Sequence, residues 1–404
     1  MRQKSPKFCI LHLYEVNMNT KQLDNEYVAH SYGRLPLEIV SGKGSLCYDE
    51  SGKEYIDLGS GIAVNTFGFS DAEWVEAVKA QLDLFAHTSN YYYTSPCAEL
   101  AQMLCTATGM KKVFFSNSGG EANECMIKAA RRYSFLKYGK GRHTIITLKN
   151  SFHGRTITTL SATGQDSFHT EFDPFTEGFV YAEANNFDDV LRLTEENNVC
   201  GIMMEVVQGE GGVFVLTKEF VEKVAALCDE KDILLMIDEV QTGNGRTGKL
   251  YGYMNYDIKP DIISTAKGLG GGLPIGATIF GEKCEDTYTP GSHGSTFGGN
   301  PISAAAACNV FSRLTPELLE GVVERNNIIV NTLKDLDGVE EISGMGLMLG
   351  IKCKKEAKEI MLGCLEKGLL VLTAKDKVRL LPPLNIDIET LNKGLNILTE
   401  VISR

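Results

Sequence analysis

Positive charge is in short supply in this chain: 40 Lys and Arg stand against 52 Asp and Glu, a formal net charge of −12. A general nucleic-acid surface needs a clustered basic footprint, so this balance argues against one while leaving room for a local pair of arginines facing a small carboxylated ligand. No apolar stretch approaches the ~20 residues that span a bilayer, so no membrane segment is expected. The 11 cysteines are scattered singly from Cys9 to Cys364 without a Cys-x-x-Cys pair, which argues against a disulfide framework or zinc site and suits a reducing, cytoplasmic setting. The seven histidines show no metal spacing. His153 and His293 read as local hydrogen-bonding residues rather than ligands, and no metal is expected. Internal repeats, low-complexity tracts and linkers are missing as well.

What remains is a chain of 404 residues, enough for one large domain with a substantial core plus a smaller one. Its start, Met1-Arg-Gln-Lys-Ser-Pro-Lys7, is basic, and the apolar Phe8 to Tyr14 that follows is too short and too interrupted by His12 and Glu15 for a signal peptide. More ordinary sequence begins at Met18, so residues 1–17 read as a disordered extension or the product of an upstream start codon. Short extended segments from Leu35 to Leu58 suggest a small antiparallel sheet, Gly59 to Asn65 a loop, and Ser70 to Phe85 a helix capped by Ser70 or Asp71. Apolar strands then alternate with helices. The strands are Val113–Phe115, Thr144–Leu148, Gly201–Val207 and Leu234–Ile237, and the helices are Glu121 to about Tyr138 and Lys218–Glu230. That alternation predicts an α/β fold with a mostly parallel sheet covered on both faces, whose ligands gather at the carboxyl ends of the strands. The last ninety or so residues mix helices (Pro316–Leu336, Lys355–Lys367, Ile388–Ile402) with strands (Gly346–Ile351, Leu369–Leu372, Val378–Leu381).

Two stretches concentrate the chemistry. Ile233-Leu-Leu-Met-Ile-Asp238 is an apolar run closed by an acid, the pattern of a buried strand that delivers one carboxylate at its end. Lys267, in Ser264-Thr-Ala-Lys267-Gly-Leu-Gly-Gly-Gly272, follows an apolar segment and precedes a glycine-rich turn, and lysine is rarely buried unless paired, modified or reactive. Taken singly, these are better read as a turn acid and a solvated loop cation. Together they match an aldehyde cofactor held by lysine: pyridoxal 5'-phosphate needs a carboxylate beside its ring nitrogen, because only the protonated ring draws electrons strongly.

Other motifs follow in order: Asn117-Ser-Gly-Gly-Glu-Ala-Asn123, Ser151-Phe-His-Gly-Arg-Thr156, Val207-Gln-Gly-Glu-Gly-Gly212, Ile237-Asp-Glu-Val-Gln-Thr-Gly-Asn-Gly-Arg-Thr-Gly248, His293-Gly-Ser-Thr-Phe-Gly-Gly-Asn-Pro301 and Val378-Arg-Leu-Leu-Pro-Pro383. From about Tyr32 to the C-terminal segment, the chain resembles the class III pyridoxal-phosphate-dependent aminotransferases, most of all their acetylornithine branch. The resemblance implies the fold type I architecture of pyridoxal-phosphate transferases: a large cofactor domain over residues 61–314 and a smaller α+β domain from residues 18–60 and 315–404. It also implies a homodimer with shared active sites.

Ser118, Gly119 and Gly120 sit between a strand and a helix start, whose free N–H groups and partial positive charge suit a phosphate dianion. The family more often has alanine or threonine at Gly120, so a side-chain contact there is lost while the backbone contact remains. By resemblance Thr296 reaches the phosphate of the neighbouring subunit and Ser295 its substrate. Phe152 stacks on the cofactor ring, Val240 packs on the other face, and Gln241 bonds the phenolic oxygen. Arg155 matches the arginine that clamps the substrate carboxylate farthest from the reacting amine, and Arg379 a second carboxylate-binding arginine. Glu210 matches a glutamate that pairs with Arg379 in the first half-reaction and swings away when a dicarboxylate arrives. Unconnected, Glu210 and Arg379 would be a loop acid and a strand-edge cation.

Gly61 stands where ornithine δ-aminotransferases tend to carry an aromatic residue, which leaves space for an N-acyl group, and Tyr32 matches a tyrosine of the same pocket. The implied reaction moves the δ-amino group of N2-acetyl-L-ornithine to 2-oxoglutarate, a step of arginine biosynthesis giving N-acetyl-L-glutamate 5-semialdehyde and L-glutamate. Ornithine, 4-aminobutyrate and succinyldiaminopimelate are the alternative donors. Departures from the family pattern at Val206, Phe69 and Ser343 bear on the substrate more than the reaction. Gly268-Leu-Gly-Gly-Gly272 also prompts a nucleotide-binding dehydrogenase, but the strand, spacing and ribose-binding acid expected around it are missing. A non-catalytic binding protein of the same fold is disfavoured by the intact Lys267, Asp238 and Arg155.

Overall fold

The computed structural model describes residues 18–404, so the expectation for residues 1–17 lies outside the described residues. A seven-stranded sheet forms the centre, in the order Lys112–Ser116, Gly276–Phe280, Ile262–Thr265, Leu234–Asp238, Val199–Met204, Thr144–Leu148, Phe179–Ala182. Gly276–Phe280 alone runs against its neighbours; the other pairings are parallel, as the strand–helix alternation predicts.

Both faces of the sheet are covered, and the two-residue period of a strand decides which side chain goes where. Leu234 and Met236 enter one cluster with Cys125, Met126, Ala129 and Ala130 of the helix Gly119–Tyr138. Leu235 and Ile237 enter the other, with Phe220 and Val224 of the helix Lys218–Lys231. Each such fully buried aliphatic side chain contributes roughly 1.5–3 kcal/mol. Asp238 continues the phase of Leu234 and Met236, which aims it at the helix Gly119–Tyr138. Glu239 falls on the opposite face, where it accepts from Gly252 N at 2.8 Å and Tyr253 N at 2.6 Å.

Two smaller sheets flank this core. Ile39–Lys43, Leu46–Asp49 and Glu54–Asp57 are antiparallel, and Leu369–Leu370 from far along the chain adds a parallel fourth strand beside Glu54–Asp57. The second sheet has the order Val339–Met345, Met348–Cys353, Lys377–Leu380, Leu372–Ala374, all antiparallel. The helices Pro316–Leu333, Ala357–Glu366 and Ile388–Ser403 complete the C-terminal part, and Asp71 caps the helix Ala72–Leu84. Among the described residues no helix is long and apolar enough to cross a membrane.

Three stretches differ from expectation. The single strand expected over Leu369–Leu372 is split between two sheets, Leu369–Leu370 pairing with Glu54–Asp57 and Leu372–Ala374 with Lys377–Leu380. The strand expected over 201–207 ends at Met204, and Val207–Gln208 pairs instead with Phe214–Val215. The break falls at Glu205, whose carboxylate accepts from Phe152 N at 2.9 Å and Gly209 N at 3.3 Å and so turns the chain away from the sheet. The expected loop Gly59–Asn65 contains a single left-handed turn, with φ of 48°, 60°, 66° and 61° from Ser60 to Ala63. Left-handed backbone costs about 1–2 kcal/mol per non-glycine residue. Buried Asp57 anchors the turn by accepting from Gly59 N and Ser60 N at 2.8 and 3.0 Å.

Candidate active site

Asp238 ends the strand Leu234–Asp238, and Lys267 stands two residues beyond the end of the adjacent parallel strand Ile262–Thr265, with Asp238 in register with Ser264. Asp238 is 3% exposed. Its Oδ2 accepts from Asn123 Nδ2 at 2.7 Å and lies 2.8 Å from His153 Nδ1, while Oδ1 accepts from Val240 N at 3.0 Å. Asn123 also donates to the His153 carbonyl at 2.7 Å, closing a ring of contacts around the carboxylate. Asn123 Oδ1 and His153 Nε2 are buried without partners.

Lys267 opens the short turn Lys267–Gly270 with a left-handed φ of 45°. Burial pushes its ammonium below the ordinary lysine value, partly offset by Glu210, with Asp238 and Glu205 also acting through space. Glu205 is buried beside the His153–Asp238 pair, and that burial pushes its carboxyl up.

Ser118, Gly119 and Gly120 lie between the strand Lys112–Ser116 and the start of the helix Gly119–Tyr138. Ser118 caps the helix Gly119–Tyr138, its hydroxyl accepting from Glu121 N. Gly119 must be glycine here: a Cβ would lie 2.6 Å from Val240 Cγ1. A Cβ on Gly120 would meet nothing nearer than Ser118 Oγ at 4.0 Å, so this helix start faces open space. Phe152 contacts Phe168 edge-on, and the Arg155 guanidinium lies 5.4 Å from the Phe152 ring and 4.2 Å from the Phe168 ring. Arg155 is exposed on this aromatic shelf.

Glu210 and Arg379 meet. Arg379 Nη1 donates to Glu210 Oε1 at 2.7 Å and Nη2 to Oε2 at 3.5 Å, with Gln241 Oε1 also 3.5 Å from Nη1. Arg379 sits in Lys377–Leu380, paired on both sides, and is 3% exposed. Burial pushes the Glu210 carboxyl up, but Arg379 outweighs it and holds the group below the usual carboxylate range.

Thr296 and Tyr32 are not joined to this cluster. Thr296 is exposed at a cavity of about 540 Å³ lined also by His87, Asn90 and Tyr91. Tyr32 is exposed with Arg34 against its ring. Ser295 is tied to its own chain, its hydroxyl accepting from Asn117 Nδ2 at 3.2 Å and Gly298 N at 3.0 Å. Sequence reasoning assigned no role to Asn123 or Glu205. Glu205 carried the same mark as Asp238, an acid closing the apolar run Gly201-Ile-Met-Met. Asn123 carried only its place inside a motif.

Residues 27–402 match the model of the class III aminotransferase family. The chain is 49% identical to an acetylornithine aminotransferase of Haemophilus ducreyi over 95% of this chain and 98% of that one. It is 42% identical to a succinylornithine transaminase of Salmonella paratyphi A over 93% and 95%. Among solved structures, N-acetylornithine aminotransferase from Stenotrophomonas maltophilia superposes with a TM-score of 0.82 at 33% identity, covering 94% of this chain and 98% of that one. Ornithine aminotransferase from Toxoplasma gondii superposes with a TM-score of 0.90 at 27% identity, covering 96% of both. By family model, by relatives and by fold alike, the chain belongs to the class III aminotransferases.

Proposed function

We propose that this chain, as a cytoplasmic homodimer, transfers the δ-amino group of N2-acetyl-L-ornithine to 2-oxoglutarate, giving N-acetyl-L-glutamate 5-semialdehyde and L-glutamate. The observation that carries the reading is the buried Arg379 paired with a partly exposed Glu210, near enough to Lys267 for both charges to act on its amine. The relatives that act on acylated ornithine, as their names state, support the choice of donor.

The residues present fit pyridoxal 5'-phosphate, the family cofactor. The helix start offers free N–H groups, with open space at Gly120, and Asp238 and Lys267 lie at and just beyond the ends of adjacent strands. Ser118, Gly119 and Gly120 would hold the phosphate with Thr296 of a second copy, Phe152 and Val240 the two ring faces, Gln241 the phenolic oxygen and Asp238 the ring nitrogen. When bound, the cofactor supplies an electron-withdrawing ring that stabilises negative charge on the carbon losing its proton.

The chain's own residues do the rest. Arg155, laid on two aromatic rings, receives the substrate carboxylate in a bidentate pair and so fixes the reacting carbon relative to Lys267. Lys267 Nζ takes the proton from that carbon as general base and then delivers it as general acid, a role suited to an amine whose proton is loosened by burial. Asn123, the Val240 N–H and His153 hold Asp238 in one orientation. Glu210 covers Arg379 while the donor, with its single carboxylate, is bound and yields it to the second carboxylate of 2-oxoglutarate, so the guanidinium has a partner in both halves of the cycle. The division into residues 61–314 and a second unit from 18–60 and 315–404 belongs to the same proposal, with Glu210 and Arg379 coming from different units. Steady-state turnover of acetylornithine against ornithine, 4-aminobutyrate and succinyldiaminopimelate tests the donor; the reading fails if 4-aminobutyrate turns over faster.

A further inference from the structure

Although the chain is acidic overall, unbalanced positive charge collects in one place away from Lys267. Lys128, Arg131, Arg132, Lys140, Arg142 and His143 line a cavity of about 700 Å³ around the C-terminal end of the helix Gly119–Tyr138 and the turn that follows it. Neutral groups hold the arginines. Arg131 Nη2 donates to the Glu177 carbonyl at 2.6 Å and its guanidinium lies 5.0 Å from the Phe179 ring. Arg132 Nε donates to the Thr287 carbonyl at 2.7 Å. Arg142 Nη2 donates to the Lys231 and Asp232 carbonyls at 3.0 and 2.9 Å, with its guanidinium 4.4 Å from the Tyr138 ring.

Carbonyls and rings orient a guanidinium but do not cancel its charge. Among the described residues none of these lysines and arginines pairs with a carboxylate, and the Asp232 carboxylate next to Arg142 is taken by Lys137, Tyr133 and Tyr138. Arg131 Nε and Arg142 Nη1 are buried with no partner at all. Elsewhere in the chain Arg313 and Arg379 each meet a carboxylate. Like charges gathered around one cavity repel one another, less strongly where they are exposed to water, and buried donors without acceptors are costly. An anion in the cavity relieves the repulsion.

We propose that this cavity binds a polyphosphate anion, the di- or triphosphate of a nucleotide or inorganic pyrophosphate. A single carboxylate or monophosphate would leave most of the cations unpaired, so the ligand carries several charges close together. Planar guanidinium forks match phosphate oxygens, and the volume lies within the ~300–1,000 Å³ range of small-molecule sites.

The test is calorimetric titration of the cofactor-loaded enzyme with ADP and, separately, with inorganic pyrophosphate, at low and high ionic strength. At least one should bind at one site per chain and weaken as salt rises. Its affinity should fall roughly 10- to 100-fold in Arg142→Gln and by a smaller factor in Lys140→Gln, with transamination unchanged in both. Tighter ADP identifies a nucleotide as the source; tighter pyrophosphate identifies the inorganic ion. Lys140 is exposed, so Lys140→Gln keeps the test valid even if Arg142→Gln folds poorly. Failure of both ligands to bind at millimolar concentration, or binding undiminished in the variants, overturns the proposal.

Discussion

Replacing Glu210 by glutamine keeps the shape of the side chain and removes its charge. Arg379 then retains a neutral acceptor where it now has Glu210 Oε1 at 2.7 Å, while Gln241 Oε1 stays at 3.5 Å and Arg379 Nε stays buried without a partner. Arg379 stays charged, so its bond to the glutamine is still charge-assisted; what is lost is the Coulombic attraction of the ion pair, which for a partly exposed carboxylate is about 1–1.5 kcal/mol, between the surface-pair and effective-dielectric limits. An incoming second carboxylate must displace residue 210 from the same guanidinium. What the pair loses, the dicarboxylate therefore gains, about 5- to 12-fold in affinity. Acetylornithine leaves residue 210 in place and gains nothing; with less charge compensating Arg379, its cationic end is bound no better and somewhat worse. The assay is the dissociation constant of the unreactive dicarboxylate glutarate, set beside single-turnover kinetics with acetylornithine. Because Glu210 is 31% exposed, the change in thermal stability is small and does not obscure the binding signal. If glutarate binding is unchanged or weaker, or if both ligands shift together, Glu210 does not exchange with substrate and the switch is refuted.

Three further outcomes follow from the same geometry. Borohydride reduction of the cofactor-loaded enzyme should fix the cofactor to the peptide carrying Lys267, and Lys267→Ala should abolish both that attachment and turnover; a modified peptide elsewhere would move the site. Burial pushes the Glu239 carboxyl up to about 7 from its ordinary value of 4.5. The folded protein thus keeps a proton that the unfolded chain releases, so this contribution to stability is full below the ordinary value and is lost as pH rises through about 7. Urea denaturation across that window should show a falling slope that flattens in Glu239→Gln, and an unchanged slope would count against it. Gly119→Ala should cost about 1–3 kcal/mol by forcing Val240 aside, and Val240→Ala should recover much of it, whereas Gly120→Ala should be nearly neutral because its Cβ position is open. Equal costs at the two glycines, read by denaturation and cofactor affinity, would disprove the asymmetry.

The strand ending at Asp238 was legible because both faces of the sheet are covered, which leaves an unbroken apolar run whose first polar residue marks the strand end. The same logic marked Glu205, yet the run there continued through Val206 and Val207 and hid the break. Only the fold shows that the Glu205 carboxylate gathers Phe152 N and Gly209 N and turns the chain out of the sheet. The partners of Asp238 were less legible still, since Asn123 comes from a helix and His153 from a loop, and no local pattern says that a helix amide will face a strand end. In retrospect the side-chain period supplies the link. Asp238 shares the phase of Leu234 and Met236, and the helix that covers that face, Gly119–Tyr138, begins just after Ser118 and delivers Asn123 within its second turn. One helix therefore fixes two things together: the N–H groups at its start, which the proposed phosphate site would use, and the orientation of the Asp238 carboxylate. A change that rotates or shifts this helix should disturb both ends of the cofactor at the same time, and for that reason the spacing from Ser118 to Asn123 carries more information than either residue alone.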